Sequence, residues 1–176
     1  MATGAWYYKG VSFISARGIT DGTGDGNYSP DAKLTRGEFI VLLMRAYGIE
    51  PDLSAKDNFT DAGNTWYTNY LAAAKRLGIT NGVGDNMFAP EQSITRQEMF
   101  TLLYNALNVL GRLPGGVSGK TLADFSDASE ISPWAKDAMA FLIETGIVTG
   151  SEGKLNPVDT TTRAQMGTVF LNLFTK

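Results

Sequence analysis

Three arginines occupy the same place in a phrase that the chain repeats: Leu34-Thr35-Arg36-Gly37-Glu38, Ile94-Thr95-Arg96-Gln97-Glu98 and Thr161-Thr162-Arg163-Ala164-Gln165. A guanidinium is a planar fork of donors that holds a carboxylate or phosphate through two parallel hydrogen bonds. The surrounding residues fit a capping box, in which threonine accepts from the third helical N–H and a Glu or Gln there reaches back. That box accounts for Thr35 with Glu38, Thr95 with Glu98 and Thr162 with Gln165. It does not account for arginine, because the first helical position lies at the positive end of the macrodipole, where a cation is mildly unfavourable. A local rule broken at three equivalent positions points to a site. Two readings stand. Arg36, Arg96 and Arg163 act beside unpaired helix N–H groups as anion receptors, or they make structural salt bridges, with Asp61 or Asp127 as partners.

Other residue types recur with them. Trp6, Trp66 and Trp134 each stand twelve residues before Gly18, Gly78 and Gly146. A tryptophan near a helix start is either core or a face on which a sugar ring stacks, and the sequence favours neither. Gly22, Gly82 and Gly150 are turn residues that also let a ligand approach bare backbone. Asp61 and Asp127 close the phrases Phe59-Thr60-Asp61 and Phe125-Ser126-Asp127. Asp21-x-Thr23-x-Asp25-Gly26 imitates the opening of a calcium loop, but position twelve would be Ala32 where a bidentate glutamate is required. No metal site and no cofactor are expected.

Composition narrows the chemistry further. The 176 residues include no cysteine and no histidine, and the net charge is −3. Thiol catalysis, Ser-His and Cys-His dyads and the usual zinc sites are excluded. A mildly acidic chain does not attract polyanions through its whole field, so nucleic acid is not an expected partner. No apolar run approaches the roughly 20 residues that span a bilayer. Each well-placed acid already has a cap or turn to serve, which leaves no carboxylate pair for acid-base work. The chain is not expected to be an enzyme.

Self-similarity at a period of about 60 residues sets the architecture of the elements that carry these residues. Each repeat reads as helix, glycine-rich turn, helix. In the second copy Trp66, Tyr67, Tyr70, Leu71, Ala74 and Leu77 recur at three- and four-residue steps, one face of a helix. Gly78-Ile79, like Gly18-Ile19 and Gly146-Ile147, has the form of a Schellman stop. The turn that follows ends in Pro30, Pro90 or Pro157, six residues before each arginine. The second helices are expected over Arg36–Tyr47, Arg96–Leu110 and Arg163–Phe174. The repeats divide at about 1–50, 57–111 and 123–176, with linkers 51–56 and 112–122, the latter reading as the most flexible stretch. A unit of about 50–60 residues makes only a small core alone, so 1–176 is expected to be one domain. The first repeat lacks Phe-x-Asp, and Met1-Ala2 therefore reads as a start inside a larger protein.

The combined pattern of Phe-x-Asp, Trp, Gly-Ile, Tyr/Phe/Leu-x-Pro and Thr-Arg-x-Glu resembles the S-layer homology repeat, in three copies covering essentially the whole chain. The resemblance implies an all-α, pseudo-threefold domain: one helix per repeat in a central three-helix bundle, with the turns and second helices projecting as three lobes. It implies a monomeric cell-wall anchoring module within a larger secreted protein of the bacterial cell surface or S-layer. Its partner would be a secondary cell-wall polysaccharide ending in pyruvylated N-acetylmannosamine, bound in grooves between lobes. On that resemblance Arg36, Arg96 and Arg163, Trp6, Trp66 and Trp134, and Asp61 and Asp127 are the matching residues. The competing reading is a homotypic assembly module of a surface layer. Gln165, the shorter third turn and the missing first Phe-x-Asp predict unequal grooves, with Arg36 and Arg96 lining the better two.

Overall fold

The computed structural model describes residues 4–175, and the expected start at Met1-Ala2 lies outside them. Six helices follow in order: α1 (Tyr8–Ala16), α2 (Arg36–Ala46), α3 (Thr68–Arg76), α4 (Arg96–Val109), α5 (Lys136–Glu144) and α6 (Arg163–Phe174). Short 3-10 turns at Leu122–Asp124, Ala128–Glu130 and Pro133–Ala135 lead into α5. Extended pairing among the described residues is confined to isolated antiparallel bridges. The fold is all-α, as expected.

The helix ends follow from local chemistry. Ile19 N–H donates to the Ile14 carbonyl and Gly18 N–H to Ser15, while Ile79 and Gly78 repeat the bonds to Ala74 and Lys75. Both are complete Schellman closures with glycine at positive φ, 65° and 75°, where a side chain would be strained. The third helix departs. Gly146 N–H donates to Ile143, but Val148 rather than Ile147 reaches the Leu142 carbonyl. There the connector reaches the helix end as well, with Ser118 donating from N–H to Glu144 and from its hydroxyl to Ile143, both at 2.7 Å. The stretch expected to be loosest thus caps α5.

The second helices of the repeats, not the first, are the inner ones. In α2 every residue but Glu38, Arg45 and Ala46 is buried, whereas α1 buries only Gly10, Val11 and Ile14. Phe39 of α2 meets Phe170 of α6 with ring centroids 6.2 Å apart. The lobes that the resemblance assigned to second helices are therefore built otherwise. Each inner helix pairs with the first helix of the following repeat: α2 with α3, α4 with α5, and α6 with α1. The last pair is closest, since a Cβ on Gly10 would lie 2.8 Å from the Gly167 backbone.

The repeats are joined head to tail in a closed ring. Arg36 and Gly37 N–H donate to the carbonyls of Gln92 and Pro90; Arg96 and Gln97 to Asp159 and Pro157; Arg163 and Ala164 to Ala32 and Pro30. Between these joints Leu34 N–H donates to Thr161, Thr161 to Ile94 and Ile94 to Leu34, each at 2.9 Å. All three of these residues are fully buried. The three segments complete one another's backbone bonding, which none could do alone.

Candidate functional site

Each joint places the start of one inner helix in the turn of the next repeat. The capping boxes form at all three, with Thr35, Thr95 and Thr162 accepting from Glu38, Glu98 and Gln165 N–H. The first two helical N–H groups are taken by the neighbouring turn's carbonyls. This corrects the expectation of unpaired helix N–H groups beside the arginines: their donors are occupied, and any anion must be held by the side chains.

The arginines run into the next repeat along the same path. Arg36 Nε donates to the Phe88 carbonyl at 2.8 Å and Nη1 to Glu98 Oε1 at 2.6 Å, with the guanidinium 4.6 Å from the Phe88 ring. Arg163 Nε donates to the Tyr28 carbonyl at 3.0 Å, Nη1 to Glu38 Oε1 at 3.5 Å and Nη2 to Thr20 Oγ1 at 3.3 Å, over the Tyr28 ring. Both arginines are only 4% exposed. Arg96 Nε likewise donates to the Leu155 carbonyl at 2.7 Å. There the likeness ends. Repeat three offers Leu155 instead of an aromatic and Gln165 instead of a glutamate, and Arg96 rests on Phe100 of its own helix at 5.2 Å. Burial pushes its basicity down, and the carboxylates that oppose this, Asp159 and Asp127, act through space without a hydrogen bond. Arg36 thus pairs in character with Arg163, not with Arg96 as the sequence departures suggested.

Asp61 and Asp127 do other work. The Asp61 carboxylate accepts from Phe88 and Ala89 N–H at 2.8 and 2.7 Å, and Asp127 from Leu155 and Asn156 N–H. Ala89 and Asn156 hold positive φ, 57° and 49°, so each aspartate clamps the strained step before proline. Burial pushes the Asp127 carboxyl up, but the Leu155 and Asn156 N–H donors, its own N–H and the Lys154 charge together outweigh it and hold it below its ordinary value. In the first repeat, which lacks the aspartate, Ser29 at φ 53° is tied by its hydroxyl to Thr23 at 2.8 Å. Neither aspartate bonds an arginine or lines a groove.

Three grooves result, of about 430, 360 and 490 Å³. The first brings together Trp6, Arg96 and Gly150; the second Trp66, Arg163 and Gly22; the third Trp134, Arg36 and Gly82. Every groove takes its arginine from one repeat, its glycine turn and helix wall from the next, and its tryptophan from the one after. The tryptophans are 64, 59 and 56% exposed, on the rims and not in the core. The glycines have φ of 83°, 80° and 69°, and a Cβ on them would collide with the carbonyl of Asn27, Met87 or Lys154. They close the turns and leave bare backbone facing the groove. Helix-wall residues that the repeat pattern did not single out also line the sites: Arg45, Asn105 and Asn172, each nine positions after its arginine. That constant spacing was the signal that would have found them.

The S-layer homology domain family matches residues 1–40, 58–100 and 124–166. Among relatives, the S-layer protein EA1 of Bacillus anthracis is 28% identical over 92% of this chain and 18% of its own length. The exoglucanase XynX of Acetivibrio thermocellus is 31% identical over 97% of the chain and 16% of its own. A surface-layer 125 kDa protein of Lysinibacillus sphaericus is 33% identical over 92% and 13%. The chain spans less than a fifth of the length of these curated relatives. With three matched segments that each cover one repeat's first helix and turn and the start of its second helix, the chain belongs to the S-layer homology domain family, whose members are wall-anchoring modules of secreted bacterial cell-surface proteins.

Proposed function

We propose that the chain anchors a larger surface protein by binding a secondary cell-wall polysaccharide in the grooves between its lobes. The terminal sugar is a pyruvylated N-acetylmannosamine. A pyruvate ketal presents one carboxylate on a sugar ring, and a groove that holds a guanidinium next to an exposed indole offers a partner to each part. The observation that carries this reading is the recurrence of that set, arginine, rim tryptophan and bare glycine turn, in all three grooves. Several grooves on one long polymer add their affinities through effective concentration. The module is matched in S-layer proteins, an exoglucanase and an amylopullulanase alike, which suits an anchor indifferent to its cargo.

Purified sacculi provide the test. The chain should sediment with native walls and remain in solution with walls stripped of pyruvylated polymer. Binding that survives the stripping would overturn the proposal. Self-association without walls would favour the homotypic assembly reading instead.

A further inference from the structure

We infer that the three grooves are not equivalent, and that the Arg96 groove alone is the receptor for the carboxylate-bearing end group, selected for that role by Gln165. This rests on the polysaccharide reading of the grooves. The argument turns on how each capping residue divides its two polar atoms. Glu98 uses Oε2 on the Thr95 N–H at 2.8 Å and Oε1 on Arg36 at 2.6 Å. Glu38 uses Oε2 on the Thr35 N–H at 2.8 Å and Oε1 on Arg163 at 3.5 Å. In both grooves the cap supplies the counter-charge to the arginine of the preceding repeat. Gln165 uses Oε1 on the Thr162 N–H at 3.0 Å. Its other terminal atom is a nitrogen, which can only donate. Where the other two grooves pair a guanidinium with the cap's carboxylate, this groove has a cap that carries no charge.

Arg96 and Gln165 both line the groove, with Trp6 on its rim. An anion entering there completes an unmet set of donors. An anion entering either of the other two meets an arginine already paired with a capping carboxylate, and in the Arg163 groove the second guanidinium, Arg45, is paired as well, with Asp21 at 3.0 Å. Asp159 also lines the Arg96 groove but is exposed and makes no bond to the guanidinium, so solvent weakens its opposition. Asp127 is buried and acts on Arg96 through space, but its carboxylate is held by the Leu155 and Asn156 N–H groups and does not line the groove. The two neutralised grooves then suit uncharged sugar residues further along the polymer, offering Trp66 and Trp134 as stacking faces.

Isothermal titration with a pyruvylated N-acetylmannosamine methyl glycoside, and with the same glycoside lacking pyruvate, decides the matter. One equivalent of the pyruvylated glycoside should bind, and loss of pyruvate should remove that binding. Arg96→Ala and Gln165→Glu should each weaken it by about 10- to 100-fold, the range for losing a hydrogen bond to a charged group. Glu98→Gln should create a second equivalent by releasing Arg36. The cap survives that change, as Thr162 with Gln165 already demonstrates. Three equal sites, an unaltered Gln165→Glu titration, or a Glu98→Gln protein still binding one equivalent would overturn the inference. If wild-type protein meanwhile sediments with native walls, the anchoring proposal stands and only the groove assignment falls. Failure to bind either walls or glycoside would sink both.

Discussion

Arginines written identically in the sequence carry different loads. Arg36 is buried and pairs with Glu98, itself 23% exposed. Arg36→Ala strips a carbonyl, a ring and a carboxylate of their partner at once. Breaking a largely buried pair costs about 3–5 kcal/mol, and water reaching Glu98 should reduce this to about 2–3 kcal/mol. Arg96→Ala removes one carbonyl bond and no ion pair, so its denaturant midpoint should shift by about 1 kcal/mol or less. Equal midpoints for the two mutants would show that the Glu98 partner contributes nothing. Thr95→Ala should lower stability by about 1 kcal/mol through its cap, while leaving wall binding intact. The cap was legible from sequence because all its atoms lie within four residues. The arginine's partner was not, being 62 residues away.

At the scale of elements, turns and helix contacts depend on single positions. Gly10 lets α1 approach α6 until the backbones touch. Gly10→Ala would force a Cβ to within 2.8 Å of Gly167, and overpacking of this kind costs about 1–3 kcal/mol. A thermal melt unchanged by that substitution would mean that the α1–α6 contact yields to a methyl group without cost. Asp127 makes the third turn sensitive to acid. Its folded-state pKa is held below the ordinary carboxylate value, so its contribution is fully present above that ordinary value. It is lost as pH falls through the depressed folded value. Asp127→Asn should therefore melt below wild type at pH 7 by about 1–2 kcal/mol, and the gap should close on acidification below the ordinary carboxylate range. A gap that does not depend on pH would rule out the charge as its source.

For the molecule as a whole, the ring of joints makes folding and binding properties of three repeats together. Removing residues 123–176 deletes α6, exposes the face of α1 that packs on it, and takes the turn and helix wall from one groove, the arginine from the second and the tryptophan from the third. Such a fragment should show no cooperative unfolding transition and no sedimentation with sacculi. A two-repeat fragment that binds walls would refute the assembly of each groove from all three repeats. The ring also carries one defect. Thr161 is fully buried between Leu34 and Ile94, and its hydroxyl has no hydrogen-bond partner. Thr161→Val should raise stability by about 1 kcal/mol, because an orphaned buried hydroxyl costs about 1–3 kcal/mol and valine has nearly the same shape.

The sequence by itself determined what is local. Glycine after an apolar helix face, threonine three residues before glutamate, and a period of about 60 residues specified the helices, their caps and the number of units, since each depends on atoms within a turn or two of chain. Only the tertiary structure decided which helix lies inside, what each arginine faces and how a groove is made. Those outcomes depend on joints between repeats, where a residue's partner is a carbonyl or carboxylate 50 or more positions away. The exchange of glutamate for glutamine at position 165 looked from its own repeat like a weakened third site. Across the joint it lies in the groove of Arg96, and there no capping carboxylate pairs with the arginine, whose nearest opposing charges act only through space.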